Sequence, residues 1–76
     1  MEKPIGAYVK HDLDIFRAEC NFSDEELDYF NCKAKKYNDY RTASEMCVSS
    51  STVRRLKDKV EEKMERVIEL YFNDNN

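Results

Sequence analysis

The chain is poor in residues that break or bend a backbone. It has one glycine and one proline among 76 residues. That excludes a β-sandwich with its many tight turns, a glycine-rich phosphate loop and a flexible linker between two domains. Tryptophan is missing and histidine occurs once, as His11. Cysteine is sparse too: Cys20, Cys32 and Cys47 are an odd number without a CxxC pair. Neither a zinc site nor a disulfide framework is supported, and all three read as reduced thiols acting as small buried hydrophobes. Long apolar runs are absent: no stretch approaches a membrane span, and Met1-Glu2-Lys3-Pro4-Ile5-Gly6 has no apolar signal core. The cytoplasm is the expected location.

What remains is a small charged chain with enough apolar residues to fold. Leu, Ile, Val and Phe supply 16 of the 76 residues, just above the level at which a chain fails to bury a core. The net charge of -3 conceals an uneven distribution. Residues 1–32 carry three cations against eight carboxylates, residues 33–59 carry eight cations against three, and residues 60–76 return to two against five. A basic middle between acidic flanks suits one anion-facing surface.

Periodicity makes the fold all-α, with three to four helices. Residues 1–11 read as an N-terminal arm and 73–76 as a C-terminal tail, leaving 12–72 as a single domain. Leu13, Phe16 and Cys20, with Ile15 alongside, predict a first helix over about 12–20. Ser23 and Glu26 form a capping box, Phe22 and Leu27 the matching hydrophobic staple, and Leu27, Phe30 and Ala34 the core face of a second helix. Lys33, Lys35 and Lys36 complement its negative end. Asn38 caps a short third helix ending near Met46. Ser49 caps a fourth, with Val48 stapled to Val53, and Val53, Leu56, Val60, Met64, Val67 or Ile68, and Tyr71 extend it as one amphipathic helix over about 50–72. Tyr29, Tyr37 and Tyr40 interleave with cations at helical spacing and read as core or half-buried residues.

The stretch Tyr40-Arg41-Thr42-Ala43-Ser44-Glu45-Met46-Cys47-Val48-Ser49-Ser50-Ser51-Thr52-Val53-Arg54-Arg55-Leu56 resembles the helix-turn-helix of bacterial regulators. It is most similar to the LuxR-type and the sigma-factor promoter-binding (region 4-like) motifs. Ala43 is small where two helices cross, Met46 and Val48 bracket the turn, Ser49 caps, and Val53 and Leu56 anchor the second helix. Two positions depart from the pattern: Cys47 occupies the turn position usually held by Gly or Asn, and Thr42 replaces an aliphatic residue. The resemblance implies a helix-turn-helix over about 39–58 and a long C-terminal recognition helix in the major groove of double-stranded DNA.

Helical phase then places Ser50, Ser51, Arg54, Arg55 and Asp58 as base-reading candidates. Lys35, Lys36, Arg41, Ser49, Lys57 and Lys59 become candidates for phosphate. Val67, Ile68, Leu70, Tyr71 and Phe72 spread apolar groups around more than one side of the last turns, a candidate homodimer or partner surface. The function implied is a sequence-specific transcriptional regulator of a phage or mobile-element kind. The alternative is a helix-turn-helix-shaped module that binds RNA polymerase or another effector protein without binding DNA itself. His11 and the paired carboxylates have no catalytic partners at defined spacing, so no enzyme activity, metal or cofactor is expected.

Overall fold

A computed structural model describes residues 3–72. Among them there are helices and no strands: a 3-10 turn at Ile5–Ala7, α1 at Lys10–Glu19, α2 at Asp24–Ala34, α3 at Asp39–Met46 and α4 at Ser50–Val67, which continues into a π-helical turn at Ile68–Phe72. No helix among the described residues is long and apolar enough to cross a membrane.

The expected arm is partly built into the fold. Ile5 is buried in the core, and Tyr8 meets Phe16 edge-on at 5.0 Å between ring centroids. Their apolar surface draws the chain onto the helices, so α1 begins at Lys10 rather than near Asp12. Gly6 lies so close to the end of α2 that a Cβ there would fall 2.8 Å from Lys36 Cγ and 3.1 Å from the Lys33 carbonyl oxygen. The one glycine therefore serves close approach, not a left-handed turn.

Left-handed turns fall to other residues. Asn21, Lys36 and Cys47 have φ of 55°, 68° and 58° and follow α1, α2 and α3 respectively. After α2 the Tyr37 amide donates to the Cys32 carbonyl at 3.2 Å, and after α3 the Val48 amide donates to Ala43 at 3.0 Å. These six-to-one bonds satisfy helix-terminal carbonyls as in a Schellman motif. Asn tolerates this conformation readily, whereas Lys36 and Cys47 carry about 1–2 kcal/mol of steric cost that tertiary packing must offset.

Helix starts follow the sequence more closely. The Glu26 amide donates to Ser23 Oγ at 3.2 Å and the Ser23 amide to Glu26 Oε1 at 3.0 Å, completing the capping box. The Arg41 amide donates to Asn38 Oδ1 at 2.8 Å, and the Thr52 amide to Ser49 Oγ at 3.2 Å.

The core stripe of α4 runs through Val53, Leu56, Val60, Met64 and Val67, packed chiefly on α2 and α3. Phe16 is fully buried and touches Phe30 and Phe72 at centroid distances of 6.1 and 5.3 Å. In α2 the buried face is Glu26, Tyr29 and Phe30. Leu27 and Ala34, expected at its centre, are only half-buried because they lie at the margin of that stripe. Thr42 fills its aliphatic position fully buried, its hydroxyl donating to the Asn38 carbonyl at 2.8 Å. That bond removes the desolvation penalty of the buried hydroxyl.

Glu26 is 7% exposed and accepts from Lys63 Nζ, which also donates to the Asn21 carbonyl at 3.1 Å. The pair joins α2, α4 and the α1–α2 turn. Lys63, followed by the backbone bond from Ser23, holds the Glu26 carboxyl below the usual carboxylate range, against the opposing effect of burial. A carboxylate with a lowered folded-state pKa contributes stability that is fully present above its unfolded value, about 4.3, and is lost as pH falls through the folded value. Thermal unfolding followed by circular dichroism from pH 7 to 2.5 should show this loss in the native chain. Glu26→Gln should be less stable at pH 7 and should narrow its deficit below about pH 4; a constant deficit across the range would refute the assignment.

Candidate nucleic-acid interface

Three helix-terminal devices create the exposed corner at the start of α4. The left-handed Cys47 ends α3, Val48 joins the apolar core, and Ser49 caps α4. The core stripe Val53–Leu56–Val60 fixes the rotation of α4 about its axis. Ser50, Ser51, Arg54, Arg55 and Asp58 consequently all point to solvent, as helical phase required.

Ser50, Arg54, Lys57 and Asp58 line one open groove, closed on its far side by Asp39 at the start of α3. Asp39 is held by Lys33 at 2.8 Å, so α2 neutralises that carboxylate from behind. Arg54 and Arg55 make no ion pair among the described residues, whereas Lys57 lies 3.6 Å from Glu61 and Arg41 lies 3.7 Å from Glu45. Such exposed pairs are worth little in water and yield readily to a stronger anion. Lys59 is exposed one turn beyond Arg55.

Charge changes sign along α4. Its first turns carry Arg54, Arg55, Lys57 and Lys59 against Asp58, and its second half carries Glu61, Glu62 and Glu65 against Lys63 and Arg66. A polyanion is therefore drawn to the N-terminal half more strongly than to the remainder. The helix start adds donors: the Thr52 and Val53 amides are used by Ser49, while those of Ser50 and Ser51 have no acceptor among the described residues. These unpaired N–H groups and the helix dipole favour an anion there.

The phosphate candidates do not form one cluster. Lys35 and Arg41 meet at the ring of Tyr37. Lys36 instead lines a hollow with Pro4, Ile5, Gly6, Ala7, Lys33 and Tyr37. Ser49 caps α4, its hydroxyl accepting the Thr52 amide at 3.2 Å and donating to Thr52 Oγ1 at 3.1 Å.

The C-terminal surface is also smaller than expected. Val67 is buried within the domain and Phe72 packs on Phe16 and Tyr8. In the π-helical turn five residues, not four, separate stacked positions, which favours Phe72 over Tyr71 as the inward residue after Val67. Ile68 is half-buried against the core, leaving Leu70 at 74% and Tyr71 at 54% exposure. The Tyr71 hydroxyl donates to Glu19 Oε1 at 3.0 Å, and that bond pushes its own pKa up.

Of the cysteines, Cys20 is buried, Cys32 half-buried and Cys47 exposed at the turn, contrary to its expected burial. Burial raises the Cys20 thiol to about 11, so it stays protonated. No cluster of metal-ligating side chains occurs among the described residues.

Tyr40, expected to be core or half-buried, is instead exposed at this corner, and Tyr37, half-buried as expected, holds cations in the turn between α2 and α3. Tyr40 is 85% exposed on the first turn of α3, on the wall of a second groove shared with Ser44, Cys47 and Ser50. Tyr37 carries two cations on its ring. The four-residue spacing of Tyr37 and Arg41 is the signal that could have found that pair. Comparison with protein-family models, curated proteins and solved structures finds no match for the chain.

Proposed function

We propose that the chain is a sequence-specific DNA-binding transcriptional regulator, with α3, the Cys47 turn and α4 acting as a helix-turn-helix and α4 as the recognition helix. The observation that carries this reading is the pair of exposed guanidiniums without ion pairs, Arg54 and Arg55, on the first turns of a capped helix. Each can offer a bidentate pair of donors to guanine O6 and N7 in the major groove. The Ser50 and Ser51 amides, Lys57 and Lys59 supply phosphate contacts that set the register without reading sequence. The surplus of cations on α4 lies in its N-terminal turns, the end that enters the groove in this class of motif.

The test is titration of random-sequence duplex DNA into the isotopically labelled chain at low salt, followed by backbone amide shifts. Shifts should concentrate on 49–59 and 35–41 and fade as salt is added, because phosphate binding releases counterions. An absence of shifts at every salt concentration would refute DNA binding. It would leave the protein-interaction reading, which the exposed Leu70 and Tyr71 favour.

A further inference from the structure

Tyr37 gathers two of the cations assigned to the DNA backbone. It follows the left-handed Lys36 in the turn between α2 and α3 and is half-buried. Arg41 Cζ lies 4.1 Å from the centre of its ring, and Lys35 Nζ lies 5.8 Å from it. Both distances are within the range over which a cation is attracted to an aromatic face. Among the described residues Lys35 has no ion pair, and the one carboxylate paired with Arg41 is the exposed Glu45.

The backbone of Tyr37 is fixed from both sides. Its amide is bonded to Cys32 at the end of α2, and the next residue, Asn38, caps α3 through the Arg41 amide. A ring quadrupole attracts a cation without neutralising it, so both charges remain available to an anion. Asp39, two residues after Tyr37, forms a wall of the α4 groove, so the α2–α3 turn that carries Tyr37 adjoins that groove, while Arg41 projects from another side of α3.

We infer that Tyr37 is a positioning residue for phosphate, its ring holding Lys35 and Arg41 ready for one stretch of the DNA backbone flanking the α4 contact. The inference rests on the DNA-binding reading above. Free Lys and Arg side chains lose much rotamer freedom when they bind; side chains already gathered on a ring lose less.

The experiment measures affinity of the full chain for a random-sequence duplex by fluorescence anisotropy over a salt series. Tyr37→Phe keeps the ring and should bind within about twofold of the native chain, while Tyr37→Leu should bind about 3- to 10-fold more weakly. In a Lys35→Ala, Arg41→Ala background Tyr37→Leu should have no further effect. Native-like binding by Tyr37→Leu, or an equal loss in that background, would overturn the inference while the native chain's salt-dependent binding left the DNA reading standing. An unmeasurable affinity in the native chain would overturn both. A second measurement covers the case in which Tyr37→Leu does not fold. In the native chain the Arg41 δ and Lys35 ε methylene protons should be shifted upfield by the ring, and shifts at their random-coil positions would overturn the inference without any variant.

Discussion

Arg54→Ala combined with Arg55→Ala is expected to abolish discrimination of a selected duplex while leaving the helix intact. Both side chains are exposed on α4, so their removal opens no cavity, and alanine is the better helix former. Each bidentate guanidinium–guanine contact contributes about 1–3 kcal/mol of discrimination, roughly 5- to 150-fold per residue. Losses on random-sequence DNA should be smaller, because Lys57, Lys59 and the start of α4 still attract phosphate. A selected site is needed to see this difference; selection from a random library with the native chain supplies it. Binding of that site by the double variant with native affinity would remove α4 from the role of reading helix. An equal loss on selected and random duplexes would reassign both arginines to the backbone.

Phe16→Ala should have the largest effect on stability. Phe16 has no exposed surface and stands where Tyr8, Phe30 and Phe72 meet, so it ties the N-terminal turn, α2 and the C-terminal π-helical turn to α1. Truncating a buried Phe costs about 3–5 kcal/mol, through lost burial and the cavity left behind. A chain of this length has roughly 4–11 kcal/mol to lose. The melting temperature should therefore fall by at least about 12 °C, or no cooperative transition should remain. Phe22→Ala, at a half-buried ring 5.1 Å from Phe30, provides the comparison and should cost less. A Phe16→Ala transition within a few degrees of the native one would show that the aromatic cluster is not the core of the domain.

Helix starts were the most legible part of the sequence, because a cap is a local device. Ser23, Asn38 and Ser49 each bond an amide three residues on, an arrangement set by the chain immediately around them. The outward set on α4 was legible for a related reason: five apolar residues at three- and four-residue spacing leave one rotation of the helix that buries them. The outward positions follow from sequence and helical phase alone, while their candidacy for reading bases is what the helix-turn-helix resemblance implies.

Helix ends were less legible, because the chain lacks the glycines that usually mark them. Lys36 gives no local sign of a left-handed conformation; the bond from Tyr37 to Cys32 and the packing of α3 on α2 impose it. Cys47 could be placed at a turn only through the motif around it.

The sequence by itself determined an all-helical chain, the starts of α2, α3 and α4, and the face that α4 turns to solvent. These depend on contacts within about four residues, where side-chain spacing and capping act directly. Only the tertiary structure decided that Ile5 and Tyr8 belong to the core, that Lys63 reaches Glu26, and that Phe72 turns inward in place of Tyr71. It also decided which cations stand together, at Tyr37 and in the α4 groove. Those outcomes depend on which apolar surfaces compete for the same small core and on the charges that packing leaves side by side, and neither is encoded in the spacing along one helix.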